Sequence, residues 1–293
     1  MTASSGSAKP TWKQLLEKDE PLVLPGAHDA LSAKLIEQAG FSAFCVGGFP
    51  LVGSRYGLPD IGLVGLGEMA AGMRDILQAT SLPALVDADH GYGDVKNVAF
   101  TIQTYVKMGA GAVFIEDQVA PKRCGHMAGK QVIGADEMVG KIKAALDARQ
   151  DADTVLIART DALAVNGFED ALERAERYLE AGADALFIEA PKTVEQMQTI
   201  ATRFAARVPL VHNLVEGGGS PITDAAGLEP LGYRVALFPA ALLHAFVPQA
   251  QTVLEHIRQH GSTRGLSGLI DLSGINAVLG AEELLDQAAR YGS

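Results

Sequence analysis

Residues 121–130, PKRCGHMAGK, place Cys124 among Lys122, Arg123 and His126 and end on Lys130. Neighbouring positive charge stabilises a thiolate and lowers a cysteine's pKa, so a thiol here can act as a nucleophile or deliver a proton. Gly125 and Gly129 give the stretch the freedom of a loop that moves over a site. A basic surface loop with an incidental cysteine is the plain alternative. A second cluster is acidic: Asp87 and Asp89 in DADHGYG, and Glu116 in IEDQ. Residues two apart on a strand face the same side, so both aspartates reach one place if the strand runs that far. Carboxylates crowded together repel unless a cation lies among them. An all-oxygen set suits a hard divalent ion, Mg²⁺ or alternatively Mn²⁺. An exposed acidic turn is the competing reading. Arg159, in IARTDA, is the natural counter-ion of such a cluster, or a clamp on a substrate carboxylate through two parallel hydrogen bonds.

These residues need a frame that brings them together, and the chain repeats one pattern that supplies it. LIEQAGFSAFCVGG, YVKMGAGAVFIED and YLEAGADALFIEA each read as helix, glycine, then a short apolar run. That is how an α/β unit ends its helix and enters a buried strand. The runs are apolar throughout and do not alternate, as parallel strands covered on both faces require. Eight such runs can be placed, near residues 22, 44, 85, 113, 156, 186, 211 and 235. Helical periodicity falls between them, over 28–39, 66–79, 95–108, 135–148, 168–181, 193–206, 223–231 and 240–258. Eight strand–helix pairs in roughly 240 residues is the size of a (β/α)8 barrel. The rival, a doubly wound sheet, has fewer strands and often a glycine-rich phosphate loop after the first, which LPGAHDALSAK is not. In a barrel, function gathers where strands end. Five successive runs end in polar groups: Asp87 and Asp89, then Glu116, Arg159, Glu189 and Asn213.

The chain of 293 residues carries a net charge of −11, which disfavours nucleic acid, since phosphate binding needs a positive footprint. No apolar run reaches the ~20 residues that span a bilayer, and MTASSGSAKP lacks the apolar stretch of a signal peptide. Residues 1–11 read as a disordered tail, 12–260 as the barrel, and 261–293 as a helical extension that caps the barrel or packs on a neighbouring subunit. With two cysteines, Cys45 lying in an apolar run, the expectation is a reduced cytoplasmic protein without a disulfide. His28, His212, His244, His256 and His260 read as structural or surface residues, and Trp12 as an anchor for the N-terminal segment.

The motifs together resemble the isocitrate lyase/phosphoenolpyruvate mutase superfamily. PKRCGH with Lys130, YGLPD at 56–60, DADHGYG at 87–93, IEDQ, IARTDA and NLVEGGGSP match in order, from about residue 12 to the C-terminus. The resemblance implies a (β/α)8 barrel, usually tetrameric with its last barrel helix swapped between subunits. It implies Mg²⁺ near Asp87, Asp89 and Glu116, with Asp60, Lys122, Cys124, His126 and Arg159 at the chemistry. It places Gly47, Gly48, Gly125, Glu189 and Asn213 at a 2-hydroxy or 2-oxo diacid. The cysteine loop implies carbon–carbon lyases of the methylisocitrate or dimethylmalate type. Carboxyphosphonoenolpyruvate phosphonomutases share that loop, and oxaloacetate decarboxylases usually lack its cysteine. A non-catalytic diacid sensor is a more distant reading. The chain also departs from the lyase pattern: Gly47 stands where a hydroxyl residue is usual, His90 where threonine is common, and Ala241 where serine is common. These departures favour a smaller or more apolar diacid over a tricarboxylate.

Overall fold

The computed structural model describes residues 10–292 except 19, 126 and 150–152; residues 1–9 of the expected tail lie outside it. Eight parallel strands follow one another: β1 (Leu22–Pro25), β2 (Phe44–Val46), β3 (Ala84–Asp87), β4 (Ala112–Glu116), β5 (Val155–Thr160), β6 (Ala185–Ile188), β7 (Val211–Asn213) and β8 (Val235–Phe238). Each of β2 to β5 pairs with the next, so that β2 to β6 form one run, β7 pairs with β8, and β8 with β1. Single parallel bridges, Gly26 to Cys45 and Leu186 to Leu210, complete the circle. The sheet is thus a closed barrel, as the repeat predicts.

Strand alternation divides the core into two. Leu24, Cys45, Leu85, Phe114, Ile157, Phe187, Val211 and Leu237 point inward and fill the barrel. Phe44, Val46, Val86, Val113, Ile115, Leu156 and Leu186 point outward and pack beneath the helices. The helix Trp12–Leu16 closes the N-terminal end, with Trp12 and Leu15 joined to the interior cluster. Thr11 caps it by accepting from the Gln14 amide, so the N-terminal anchor is built as the sequence implies.

Residues 48–56, outside the stretches whose periodicity reads as helical, form the helix Gly48–Tyr56. Its proline, Pro50, falls in the first turn, where the missing N–H has no intrahelical partner to lose, and Gly57 ends it in the left-handed region. The eighth barrel helix, Ala241–His260, and the two that follow, Leu272–Leu279 and Ala281–Arg290, contain no buried residue. Phe246, Leu254, Leu272, Leu284 and Leu285 are all exposed. No helix among the described residues is long and apolar enough to cross a membrane.

Candidate active site

The inward-facing series on each strand changes character toward its C-terminal end. On β4 it runs Ala112, Phe114, Glu116; on β5 Val155, Ile157, Arg159; on β6 Ala185, Phe187 and then Glu189. The period of two therefore carries an apolar barrel floor into a ring of charge. Phe114 and Phe187 meet edge to face at 5.8 Å. The Arg159 guanidinium lies 5.8 Å and 5.1 Å from their ring centres. The arginine is thus seated on an aromatic layer and held there by ring quadrupoles.

Around that ring is a cavity of about 210 Å³. Asp60, Asp87, Glu116, Lys122, Cys124, Gly125, Arg159, Glu189, Asn213, Gly47 and Gly48 all line it. Residues distant in sequence are therefore brought to one place, and the loop 121–130 stands over the same mouth as the acidic groups. Asp89 lies behind this wall, 2.5 Å from the Lys122 ammonium. His126 lies outside the described residues.

Lys122 is buried, its Nζ 2.6 Å from Asp60 Oδ1. Burial works against its charge, but Asp89, Asp87, Glu116 and Asp60 outweigh burial and hold it protonated. Its ammonium is thus matched by carboxylates, and the Arg123 guanidinium donates to the Ala128 carbonyl. Cys124 is half-buried, and its amide donates to the Asp60 carbonyl at 3.1 Å. That bond ties the cysteine loop to the loop after β2. Neither cysteine enters a disulfide, and Cys45, buried on β2, also lines the cavity.

Arg159 is ringed by acid. Its Nε and Nη2 donate to Asp161 at 3.0 and 3.2 Å, its Nε lies 3.3 Å from Glu116, and its Nη2 lies 3.8 Å from Glu189. Asn213 donates to Glu189 at 3.2 Å. Asp117, next to Glu116, points the other way. It accepts from Thr160, Tyr178, Arg174 and the Asp161 amide, and so fixes the end of β5 from outside the barrel.

The acidic set is suited to a divalent cation. Glu116 Oε1 is buried without a hydrogen-bond partner. Burial, and then Asp89, push the Asp87 carboxyl up to about 6, and burial raises Glu116 well above its usual range. A cation among these groups relieves both the desolvation and the repulsion. Asp87 Oδ2, Asp89 Oδ1 and Lys122 Nζ converge on the backbone of Gly48, at 3.2, 3.3 and 3.4 Å from where a side-chain carbon would sit. Only glycine leaves that space open. Among the described residues no three His, Cys, Asp or Glu side chains enclose an ion by themselves. Mg²⁺ keeps several waters and takes one or two carboxylates, so a closed protein cage is not required of its ligands.

The remaining wall is largely apolar. Phe49, Pro50, Val215, Leu237, Pro239 and Ala240 make one flank apolar. His244, read as structural or surface, reaches this flank from the first turn of Ala241–His260. There it contacts Phe49 edge-on at 5.9 Å and hydrogen-bonds Glu216 at 3.0 Å. Only the pairing of β8 with β1, which closes the barrel, brings it there.

A (β/α)8 barrel with a carboxylate ring, a seated arginine and a cysteine loop at its C-terminal mouth has the layout of a barrel enzyme acting on small anions. The chain belongs to the phosphoenolpyruvate phosphomutase family, whose model matches residues 12–258, within the isocitrate lyase/PEP mutase superfamily. It is 38% identical over 282 residues to 2,3-dimethylmalate lyase of Eubacterium barkeri, covering 96% of this chain and 97% of that one. It is 38% identical over 285 residues to the chloroplastic carboxyvinyl-carboxyphosphonate phosphorylmutase of Arabidopsis thaliana, covering 96% and 84%. Among solved structures, a phosphonopyruvate hydrolase complexed with oxalate and Mg²⁺ superposes with a TM-score of 0.85 at 31% identity, covering 95% and 97%.

Proposed function

We propose that this chain is a Mg²⁺-dependent lyase that cleaves a carbon–carbon bond of a small 2-hydroxy dicarboxylate, releasing a 2-oxo acid such as pyruvate and a carboxylate. The observation that carries this reading is the meeting of Cys124 with Asp87, Glu116 and Arg159 on one cavity. Asp87, Asp89 and Glu116 would hold the cation, Mn²⁺ being the alternative to Mg²⁺. When bound, the cation polarises the substrate's oxygens and offsets the charge that develops on them. Arg159 grips a substrate carboxylate from its aromatic seat, with Asn213 and Glu189 beside it. A base takes the proton of the substrate's 2-hydroxyl, that oxygen becomes the carbonyl of the 2-oxo acid as the carbon–carbon bond breaks, and the other fragment keeps the electron pair as an enolate of its carboxylate. Cys124 gives that carbon a proton. Lys122 holds Asp60 and Asp89 in place, and the loop excludes water.

The apolar flank supports an alkyl-substituted diacid over a tricarboxylate, since an extra carboxylate there meets Phe49, Pro50, Val215 and Pro239. The exposed apolar residues of Ala241–His260 and the helices beyond support exchange of this region between subunits of a homotetramer. The paired relative with phosphorylmutase activity keeps a phosphonomutase as the second reading.

A panel of 2-hydroxy diacids, assayed for oxo-acid release with Mg²⁺ or with chelator, tests the reading. Alkyl-substituted malates are expected to turn over with Mg²⁺ and not with chelator. Phosphorus NMR with carboxyphosphonoenolpyruvate is expected to show no new phosphorus–carbon signal. Oxo-acid release unaffected by chelator, or phosphorus–carbon rearrangement without any lyase turnover, would contradict it.

A further inference from the structure

Lysine is rarely buried without a reason, and Lys130 at the end of the cysteine loop is 4% exposed by side chain. Its ammonium does two things at once. It donates to Asp161 Oδ1 at 2.7 Å, and it donates back to the carbonyl of Gly125 in its own loop. Asp161 is a fixed post: it is fully buried, its amide is held by Asp117 at 2.9 Å, and its carboxylate takes both Arg159 donors. Gly125, at the other end of the link, is pressed against the clamp. A side-chain carbon there would lie 2.2 Å from Arg159 Nη2 and 2.9 Å from Glu189 Oε1.

We propose that Lys130 is a positioning residue: it docks the Gly125 backbone against Arg159 and Glu189, and by doing so sets Cys124, the preceding residue, over the cavity. The inference rests on the reading of residues 121–130 as the loop that covers the site. Gln118 with the Arg123 backbone and Arg123 with Ala128 act within the loop or at its base, while the Cys124 amide and Lys122 tie its first half to Asp60 and Asp89. Lys130 joins the loop's tip to the arginine cluster. The link also has an electrostatic side. With Lys130 on Asp161, two cations share one carboxylate, so less of the Arg159 charge is cancelled by its neighbour and more faces the cavity.

The test is Lys130→Met, which keeps the apolar stem and removes the donor, with Lys130→Arg as the conservative variant. The first readout is the alkylation rate of Cys124 by iodoacetamide, followed by peptide mass spectrometry without substrate, so that it reports on the loop even if the assigned substrate is wrong. Loss of one charge-assisted hydrogen bond is expected to raise that rate about tenfold. In the substrate assay kcat is expected to fall by a similar factor, with a smaller change in KM, and Lys130→Arg is expected to restore part of both. If Lys130→Met does not fold, Gly125→Ala supplies the second variant, because it blocks docking while keeping the lysine; it is expected to expose Cys124 in the same way. Alkylation and kcat within twofold of the parent would overturn the proposal. So would a lowered melting temperature with unchanged alkylation, which marks a merely structural lysine.

Discussion

Cys124→Ser is expected to fold, to bind the cation, and to turn over the diacid roughly 10²–10⁴-fold more slowly, the range that a positioned acid contributes. The backbone bond from residue 124 to Asp60 does not depend on the side chain, so the hydroxyl takes the place of the thiol. What changes is acidity: an alcohol is a far poorer donor to a developing carbanion. The loss is expected in kcat, with KM nearly constant, because the group acts on the transition state and not on the bound diacid. Steady-state kinetics on the turned-over malate measures it. A chain whose reaction needs no proton at carbon, as in phosphonomutase chemistry, would keep activity within a few-fold.

Arg159→Met is expected to cost more still, because it removes two things together. The substrate loses a cationic partner, and Asp161, Glu116 and Glu189 lose the charge they surround. Breaking a buried pair by deleting one partner costs about 3–5 kcal/mol, since the other charge is left uncompensated. The expected result is a large fall in kcat/KM with a lowered urea midpoint. Arg159→Lys is not expected to rescue it, because a single ammonium cannot reproduce two parallel donors to Asp161 while lying across Phe114 and Phe187. Full activity in Arg159→Lys would show that only a positive charge is needed there.

The barrel was readable because parallel strands buried on both faces make short apolar runs that end in charge, and because a period of two carries Phe114 to Glu116 and Ile157 to Arg159. The same rule separates Glu116, facing in, from Asp117, facing out, but only once the register is known. Other parts depend on contacts that no local pattern contains. Asp89 faces Lys122 and lies outside the main cavity wall, because the chain turns at Asp89, whose φ is +49°. The helix Gly48–Tyr56 was hidden by its glycines and by Pro50, whose usual meaning is a loop. His244 and Phe49 meet across almost 200 residues. The link from Lys130 to Asp161 spans 31 positions and joins a loop to a strand end.

The central claim is that cation and thiol share one cavity. It is tested most directly by labelling Cys124 with bromotrifluoroacetone and recording its fluorine NMR line with Mg²⁺ and then with Mn²⁺; Cys45, buried within the barrel, is expected to stay unlabelled. Paramagnetic Mn²⁺ is predicted to broaden the line severely where Mg²⁺ does not, and Asp87→Asn is predicted to abolish the broadening. A line that stays sharp at saturating Mn²⁺, or one that broadens equally in Asp87→Asn, would contradict the shared site.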